Sequence, residues 1–439
     1  MKNITRSEFV VVSLMLFSMF FGAGNFIFPP MLGKESGVIF YQTILYFCAT
    51  AVLLPVLGVA AVARCGSVQA LTSRVDNFFG PIFIVSIYLS IGPFLAIPRA
   101  ANLPFEVGVA PLVSEASKGV WLAIWTIVFF VINYIISINK SKVVEILGRY
   151  LTPALLILIV ILVAAVFIAP TPPLSEATGA YATAPTSTAF MAGYDTMDAM
   201  ASIVFGIVVV NVLRGFGVND EKTLVSTTIK TGIFAGVILS LIYIALAYLG
   251  AATAGVVGEV ENGAQILAKT ADWLFGKSGA VILGVALFLA CITTTVGLTT
   301  SGSDYFNSLL PGVGYKTWCL IFSVVSALMA NIGLSGILKF GVPILVAFYP
   351  VVIVLVLLAL IDRFIDSSKL VYRSCIYVTL VTGLIFSLGS VAKVLPEGFV
   401  NAAKRVMPFY DYGLGWVLWA IVVFCVSYII HAVLTKKIA

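Results

Sequence analysis

FFGAGNFIFPP, residues 20–30, interrupts the first long apolar run of the chain. Gly22 and Gly24 add backbone freedom, while Pro29 and Pro30 remove two amide donors and disfavour helical geometry just before them. A helix break is expected here. Lipid offers opened backbone no hydrogen-bond partner, so a break at bilayer depth must be buried in protein or line a wet cavity. Freed carbonyls suit a cation and the N-terminus of the second half-helix suits an anion, a combination that fits a zwitterion travelling with a cation. The alternative is a packing kink, because Gly and Pro are common in membrane helices.

Composition sets the setting of that break. The 439 residues are 61% hydrophobic and 10% charged, which excludes a water-soluble surface. A mean hydropathy of +1.12 and repeated apolar stretches of about 20 residues indicate an all-α polytopic membrane protein. The period-two alternation of a membrane β-barrel is missing. Lys2 and Arg6 precede the first run as in a signal peptide, but the run continues into Pro29 and Pro30 with no small-residue cleavage site, so an uncleaved first helix is expected. Net charge of +6 reads as a topology signal, with no nucleic-acid partner and no obligate protein partner evident. Six cysteines without CxxC spacing and the single His431 argue against a disulfide framework, a metal centre or a histidine proton relay.

Apolar runs span residues 8–32, 38–63, 80–101, 119–138, 150–169, 195–213, 229–251, 278–301, 317–337, 340–361, 371–391 and 413–434, which predicts about twelve transmembrane helices in one domain. The boundary near 336–341 can be drawn in more than one way. An even number puts both termini on one side. Placing them in the cytoplasm leaves 16 of the 25 Lys and Arg inside, which favours that orientation. The connections 170–194, 252–277 and 392–412 then lie outside and read as exposed loops, with room for short surface helices.

The sixth run resembles the first: Asp195, Thr196 and Asp198 open it, and Ser202, Phe205 and Gly206 follow within the apolar stretch. Interruptions in the first and sixth helices are the pattern of a five-plus-five inverted repeat, since an odd repeat length reverses the second copy. The Gly206 feature reads equally as a close helix contact. The eighth run, CITTTVGLTT at 291–300, carries Thr293 and Thr294, whose hydroxyls with the Ala290 carbonyl one turn earlier suit Na⁺; the alternative is hydroxyls returned to the helix's own carbonyls. Gly92, Pro93 and Pro98 kink the third run, and Arg99 near its outer end either snorkels, pairs with Glu106, or acts in gating or carboxylate recognition. Asp195 and Asp198 are proton candidates, although acids at a helix start also serve the helix dipole.

FFGAGNFIFPP, IGPFLAIPRAA (91–101), VFGIVVVN (204–211) and CITTTVGLTT together resemble the branched-chain amino acid:cation symporter family, the BrnQ-type carriers, from about residue 7 to 435. That resemblance implies import of leucine, isoleucine and valine across a bacterial inner membrane with Na⁺, or in some members H⁺, and no cofactor beyond that coupling ion. It implies a LeuT-like fold: a first repeat at about 7–169, a second at about 195–361, and extra helices at about 370–435. GAGNFIFP is also similar to the GLGNFxRFP segment of sodium-coupled neurotransmitter symporters. The likeness implies that the amides of Ala23 and Gly24 face the substrate carboxylate and the carbonyls of Met19 and Phe20 its ammonium. Asn25 matches the motif asparagine, and Ala199, Ser202, Phe205 and Gly206 match the sixth-helix side of the substrate site. A cation site is implied at Thr293 and Thr294 with the carbonyls of Ala290, Ser18 and Phe21. Phe28 stands where that motif has arginine, so the likeness implies no arginine gate in that form and points to Arg99 as the candidate substitute.

The expected mechanism is alternating access. A channel is the first rival, but no repeated filter segment or charged ring is found. A membrane-embedded enzyme is the second, and it lacks a convergent nucleophile, base or metal-ligand set.

Overall fold

A computed structural model describes residues 4–436, and among these every regular element is helical. Lys2 and Lys437 of the charge argument lie outside them. Among the described residues, ten helical stretches are long and apolar enough to cross a membrane. One of these, Ala23–Cys65, takes parts of two apolar runs in 43 residues; at about 1.5 Å per residue it is roughly 65 Å long, about twice the hydrocarbon thickness. It folds back at Gly37, whose φ of +50° is open to glycine at little cost.

The first run is two half-helices. α1 (Arg6–Phe20) starts with Thr5 accepting from the Glu8 amide while the Glu8 carboxylate accepts from the Thr5 amide, which satisfies two free donors at once. The helix stops at Phe21 and Gly22, and α2 (Ala23–Ser36) begins at once. The break is therefore shorter and earlier than the motif suggests. Pro29 and Pro30 lie inside α2, where they continue the helix instead of ending it.

The return pass is α3 (Phe40–Cys48) and α4 (Leu54–Cys65). The third run is α5 (Phe79–Leu89) and α6 (Ala96–Gly108), separated at Gly92, with ψ of −119°, and Leu95, with φ of −137°. α7 (Lys118–Ser137), α8 (Lys140–Glu145) and α9 (Thr152–Ile168) complete the first half.

The sixth run is also split, but not at Gly206. α10 (Pro185–Tyr194) and α11 (Asp198–Gly215) are separated by Asp195, Thr196 and Met197, and Met197 takes the left-handed conformation at φ 68°. The expectation of an exposed loop over 170–194 thus fails for its second part: α10 buries Ala189, Gly193 and Tyr194 and packs on α3.

α12 (Glu221–Val257), α13 (Gly263–Phe275) and α14 (Lys277–Leu309) follow. α15 (Tyr315–Ala330) and α16 (Leu334–Leu360) meet at a turn over 331–333, so residues 336–341 lie within α16 and the boundary moves towards the N-terminus. α17 (Lys369–Phe386), the surface helix α18 (Glu397–Val406) and α19 (Gly415–Lys436) close the chain.

Three glycines bring α2 against its neighbours at backbone distance. A Cβ at Gly33 would overlap the Ala247 carbonyl, one at Gly250 the Pro30 carbonyl, and one at Gly263 the Ile27 carbonyl. Small residues are what membrane helix contacts use, since association there rests on close packing. The polar core sits at the centre of the bundle, whereas Ile135, Val160 and Leu241 on α7, α9 and α12 face outward for lipid.

Gly250→Ala is expected to lower stability by about 1–3 kcal/mol, because the methyl meets rigid backbone. Gly215→Ala, with open space around its Cα, is the control and should stay within about 0.5 kcal/mol. Thermal unfolding of the detergent-solubilised protein measures both; equal effects would remove the close-packing argument.

Candidate functional site

The breaks in the first, third and sixth runs converge with one face of α14 on a single narrow cavity of about 30 Å³. Met19, Phe20 and residues 22–25 line one side; Ile91, Ala96, Arg99 and Ala100 line the second; residues 196–198, Ala201 and Phe205 the third; Thr294 and Leu298 close it. Phe20 and Phe205 meet edge to face at 5.3 Å across it. The mix of apolar wall and a few polar groups is what a small-molecule site requires.

Asn25 holds the first break to the sixth. Its Oδ1 accepts from the Gly22 amide at 3.1 Å, and its Nδ2 donates to Asp198 Oδ2 at 2.6 Å and contacts the Tyr243 hydroxyl. Tyr243 itself donates to Asp198 Oδ2 at 3.2 Å. All three side chains are buried. Asp198 opens α11 just as Asn25 lies in the first turn of α2, so a carboxylate stands where two helix N-termini come together. Asp195 is half-buried in the same break, and its backbone carbonyl accepts from Arg99 Nη1 at 3.3 Å.

The threonine pair sits beside this cavity. Thr293 Oγ1 lies 3.0 Å from the Ser18 carbonyl and 2.9 Å from that of Ala290; Thr294 Oγ1 lies 3.3 and 3.2 Å from the same two oxygens. Four neutral oxygens therefore cluster where α1 ends against α14. Phe21 occupies the break next to them, its ring against Phe17 and Phe26. Through Ala290 the Thr293 and Thr294 hydroxyls both return to their own helix, as Thr295, Thr300 and Ser301 do; what sets the pair apart is the reach to Ser18 on α1, while Thr299 accepts from Asn133 at 3.0 Å. Gly22 lies over Thr294, where a Cβ would stand 2.8 Å from the hydroxyl oxygen.

Several expected positions are placed elsewhere. Ser202 and Gly206 face α4, against Gly58 and against Val59 and Val62, and Ala199 is off the cavity with its carbonyl accepting from Ser202 at 2.6 Å. The helical period puts Asp198, Ala201 and Phe205 on the cavity side and turns these three away from it. Arg99 neither snorkels nor pairs with Glu106, which instead bonds Lys118 at 3.1 Å. The third-run break redirects α6, so that Arg99 points inward. Sequence reading missed Tyr243, Met197 and Leu298; only Tyr243, a phenol in the apolar seventh run, carried any signal.

One turn along α1, α11 and α14 from the cavity, Met15, Val208 and Ser301 line a larger cleft of about 510 Å³ with Asn211, Asp304 and Lys140. Met19, Phe205 and Leu298 form the layer that lines the inner cavity on this side.

The sequence pattern of a family described as branched-chain amino acid transport protein matches residues 5–434. Branched-chain amino acid permease BraB of Bacillus subtilis is 40% identical over 98% of this chain and 96% of its own length. Branched-chain amino acid permease BrnQ of the same organism is 38% identical over 99% of both chains. Mhp1, a nucleobase-cation-symport-1 family transporter solved in a closed conformation with bromovinylhydantoin bound, superposes with a TM-score of 0.62 over 98% of this chain and 93% of its own, at 14% identity. That last likeness is one of fold: the architecture is LeuT-like, with discontinuous first and sixth spans.

Removing the Tyr243 hydroxyl by Tyr243→Phe is expected to cost about 1–3 kcal/mol, since it strips a donor from a buried carboxylate. Asn25→Ala should cost more, because three groups lose their partner. The double variant should fall short of the sum by at least about 0.5 kcal/mol, and strict additivity in unfolding measurements would show that the three do not act as a network.

Proposed function

The chain belongs to the branched-chain amino acid transport protein family, and from that premise we propose that it is a secondary active symporter importing leucine, isoleucine and valine with Na⁺ by alternating access. Its relatives are permeases, not enzymes. The observation that carries the Na⁺ reading is the cluster of two threonine hydroxyls and two main-chain carbonyls between α1 and α14, beside the cavity. Hard neutral oxygens suit an alkali cation that must bind and leave again.

In this reading the amino acid lies between the two broken helices. The Met19 and Phe20 carbonyls take its ammonium, and the Ala23 and Gly24 amides take its carboxylate. Phe20, Ile91, Phe205 and Leu298 surround the aliphatic end. A hydrophobic pocket distinguishes one methylene by only about 1–3 kcal/mol, so the three substrates overlap. Ion binding closes the α1–α14 junction and favours the substrate-ready state; it drives uptake only through its different affinity for the two states.

Proton coupling is the second reading, favoured by Asp198 with its two hydrogen-bond donors inside the bundle. In this reading both termini lie on the cytoplasmic side of a bacterial inner membrane, the orientation that the excess of Lys and Arg favours. The cleft bearing Lys140 then opens inward. Two inverted repeats, with the second starting at Pro185 so as to include α10, account for the paired breaks.

Proteoliposomes holding only this protein should take up labelled leucine saturably under an inward Na⁺ gradient, with isoleucine and valine competing. No uptake under either a Na⁺ or an H⁺ gradient would sink the symport reading, and running the gradients separately identifies the ion. Thr294→Ala should raise the Na⁺ concentration for half-maximal uptake by roughly tenfold, the loss of about one hydrogen-bond equivalent of ligation. Unchanged activation by Na⁺ would take Thr294 out of the site.

A further inference from the structure

One charge on the cavity wall has no ion-pair partner among the described residues. Arg99 is 8% exposed and lines the cavity. Its Nη1 reaches the Asp195 carbonyl at 3.3 Å, its Nε has no hydrogen-bond partner, and no carboxylate oxygen lies within 4 Å of it among the described residues. Asp195 and Asp198 act on it only at longer range. A guanidinium keeps its charge and offers five donors in a planar fork, so burying it half-used is costly unless something else completes it.

The second observation is where that fork rests. A Cβ on Gly24 would stand 2.9 Å from Arg99 Nη2, so the guanidinium lies on the first turn of α2. α2 runs for 14 residues. Its Gly22 amide is taken by Asn25, but the next two amides, of Ala23 and Gly24, have no acceptor within the helix. A full positive charge and the positive end of a helix thus face one cavity together. They repel each other when it is empty and cooperate when an anion lies between them.

We infer that Arg99 and the N-terminus of α2 jointly hold the carboxylate of the transported amino acid. Arg99 is then a direct substrate ligand, not a gate at the cavity mouth. This rests on the transport reading above and adds to it the residue that reads the carboxylate. It also bears on ion use. The protein supplies the charge that neutralises the carboxylate, and the Asn25 side chain is already committed to Gly22, Asp198 and Tyr243, which leaves the Thr293–Thr294 cluster as the place for a coupling cation.

Equilibrium binding of labelled leucine to the purified full-length protein, with leucinamide as the competitor lacking a carboxylate, tests this. Arg99→Gln should weaken leucine roughly 10- to 100-fold and change leucinamide by less than about threefold, so that the preference between them collapses. Arg99→Lys should restore part of it. Gly24→Ala, which displaces the guanidinium, should weaken leucine in the wild-type background and add nothing to Arg99→Gln. Should Arg99→Gln not yield folded protein, the loss of preference in Gly24→Ala and Arg99→Lys carries the same test. Preference retained in these variants, with wild-type leucine binding intact, overturns the inference alone, as does a change in transport rate at constant affinity. No leucine binding by the wild type overturns the transport reading itself.

Discussion

The structure depends on the hydrogen bond from Asn25 to Asp198, 173 positions away in sequence. Each residue lies in the first turn of a half-helix that starts inside the bundle, and each such start exposes free amides and a positive dipole end. Water is absent at that depth, so the two starts are tolerable only if protein groups replace it. Asn25 does so for its own break by accepting from Gly22, and Asp198 places an acceptor oxygen between the two helix starts. Tyr243 on α12 completes the arrangement. A broken helix alone would be a defect; two broken helices tied by a shared amide and carboxylate make a polar centre with a cavity beside it.

The rest of the bundle serves to bring those breaks together without filling the space between them. Glycines at 33, 250 and 263 let α2, α12 and α13 approach at backbone distance, which fixes where the second half-helix points. Gly58 and Gly206 make room between α4 and α11, the first for the Ser202 side chain and the second for Val59 and Val62. The third-run break at Gly92 turns α6 so that Arg99 meets the first turn of α2. On the opposite side the end of α1 meets the threonines of α14. Anion-favouring and cation-favouring groups thus lie at adjoining corners of one cavity, the arrangement a zwitterion and a cation need if each is to favour the state that binds the other.

Much of this was legible in the chain. Apolar run length marks membrane helices because bilayer thickness is fixed, and FFGAGNFIFPP marks the first break because glycine freedom and missing amide donors are local properties. Thr293 and Thr294 stood out as adjacent hydroxyls in an apolar run. The place of the sixth break stays open in the sequence for an equally physical reason, since Gly206 reads equally as an interruption and as a close helix contact. Gly206 is the conspicuous residue, but its missing side chain serves contact with Val59 and Val62, whereas the chain leaves the helix at Met197, which has no turn signature. Pro29 and Pro30 misled in the other direction, since both are accommodated inside α2.

By itself, the sequence determined a polytopic helical transporter-like chain, an interrupted first helix and a hydroxyl-bearing eighth one, because hydropathy, backbone freedom and side-chain chemistry are carried residue by residue. Only the tertiary structure decided which glycines break a helix and which allow one to approach. It also decided that Asp198, Ala201 and Phe205 face the cavity while Ser202 and Gly206 turn away, that Arg99 points inward, and that the side chain of Asn25 is central. These outcomes depend on which distant atoms come within hydrogen-bond or van der Waals reach, and no local pattern encodes that distance.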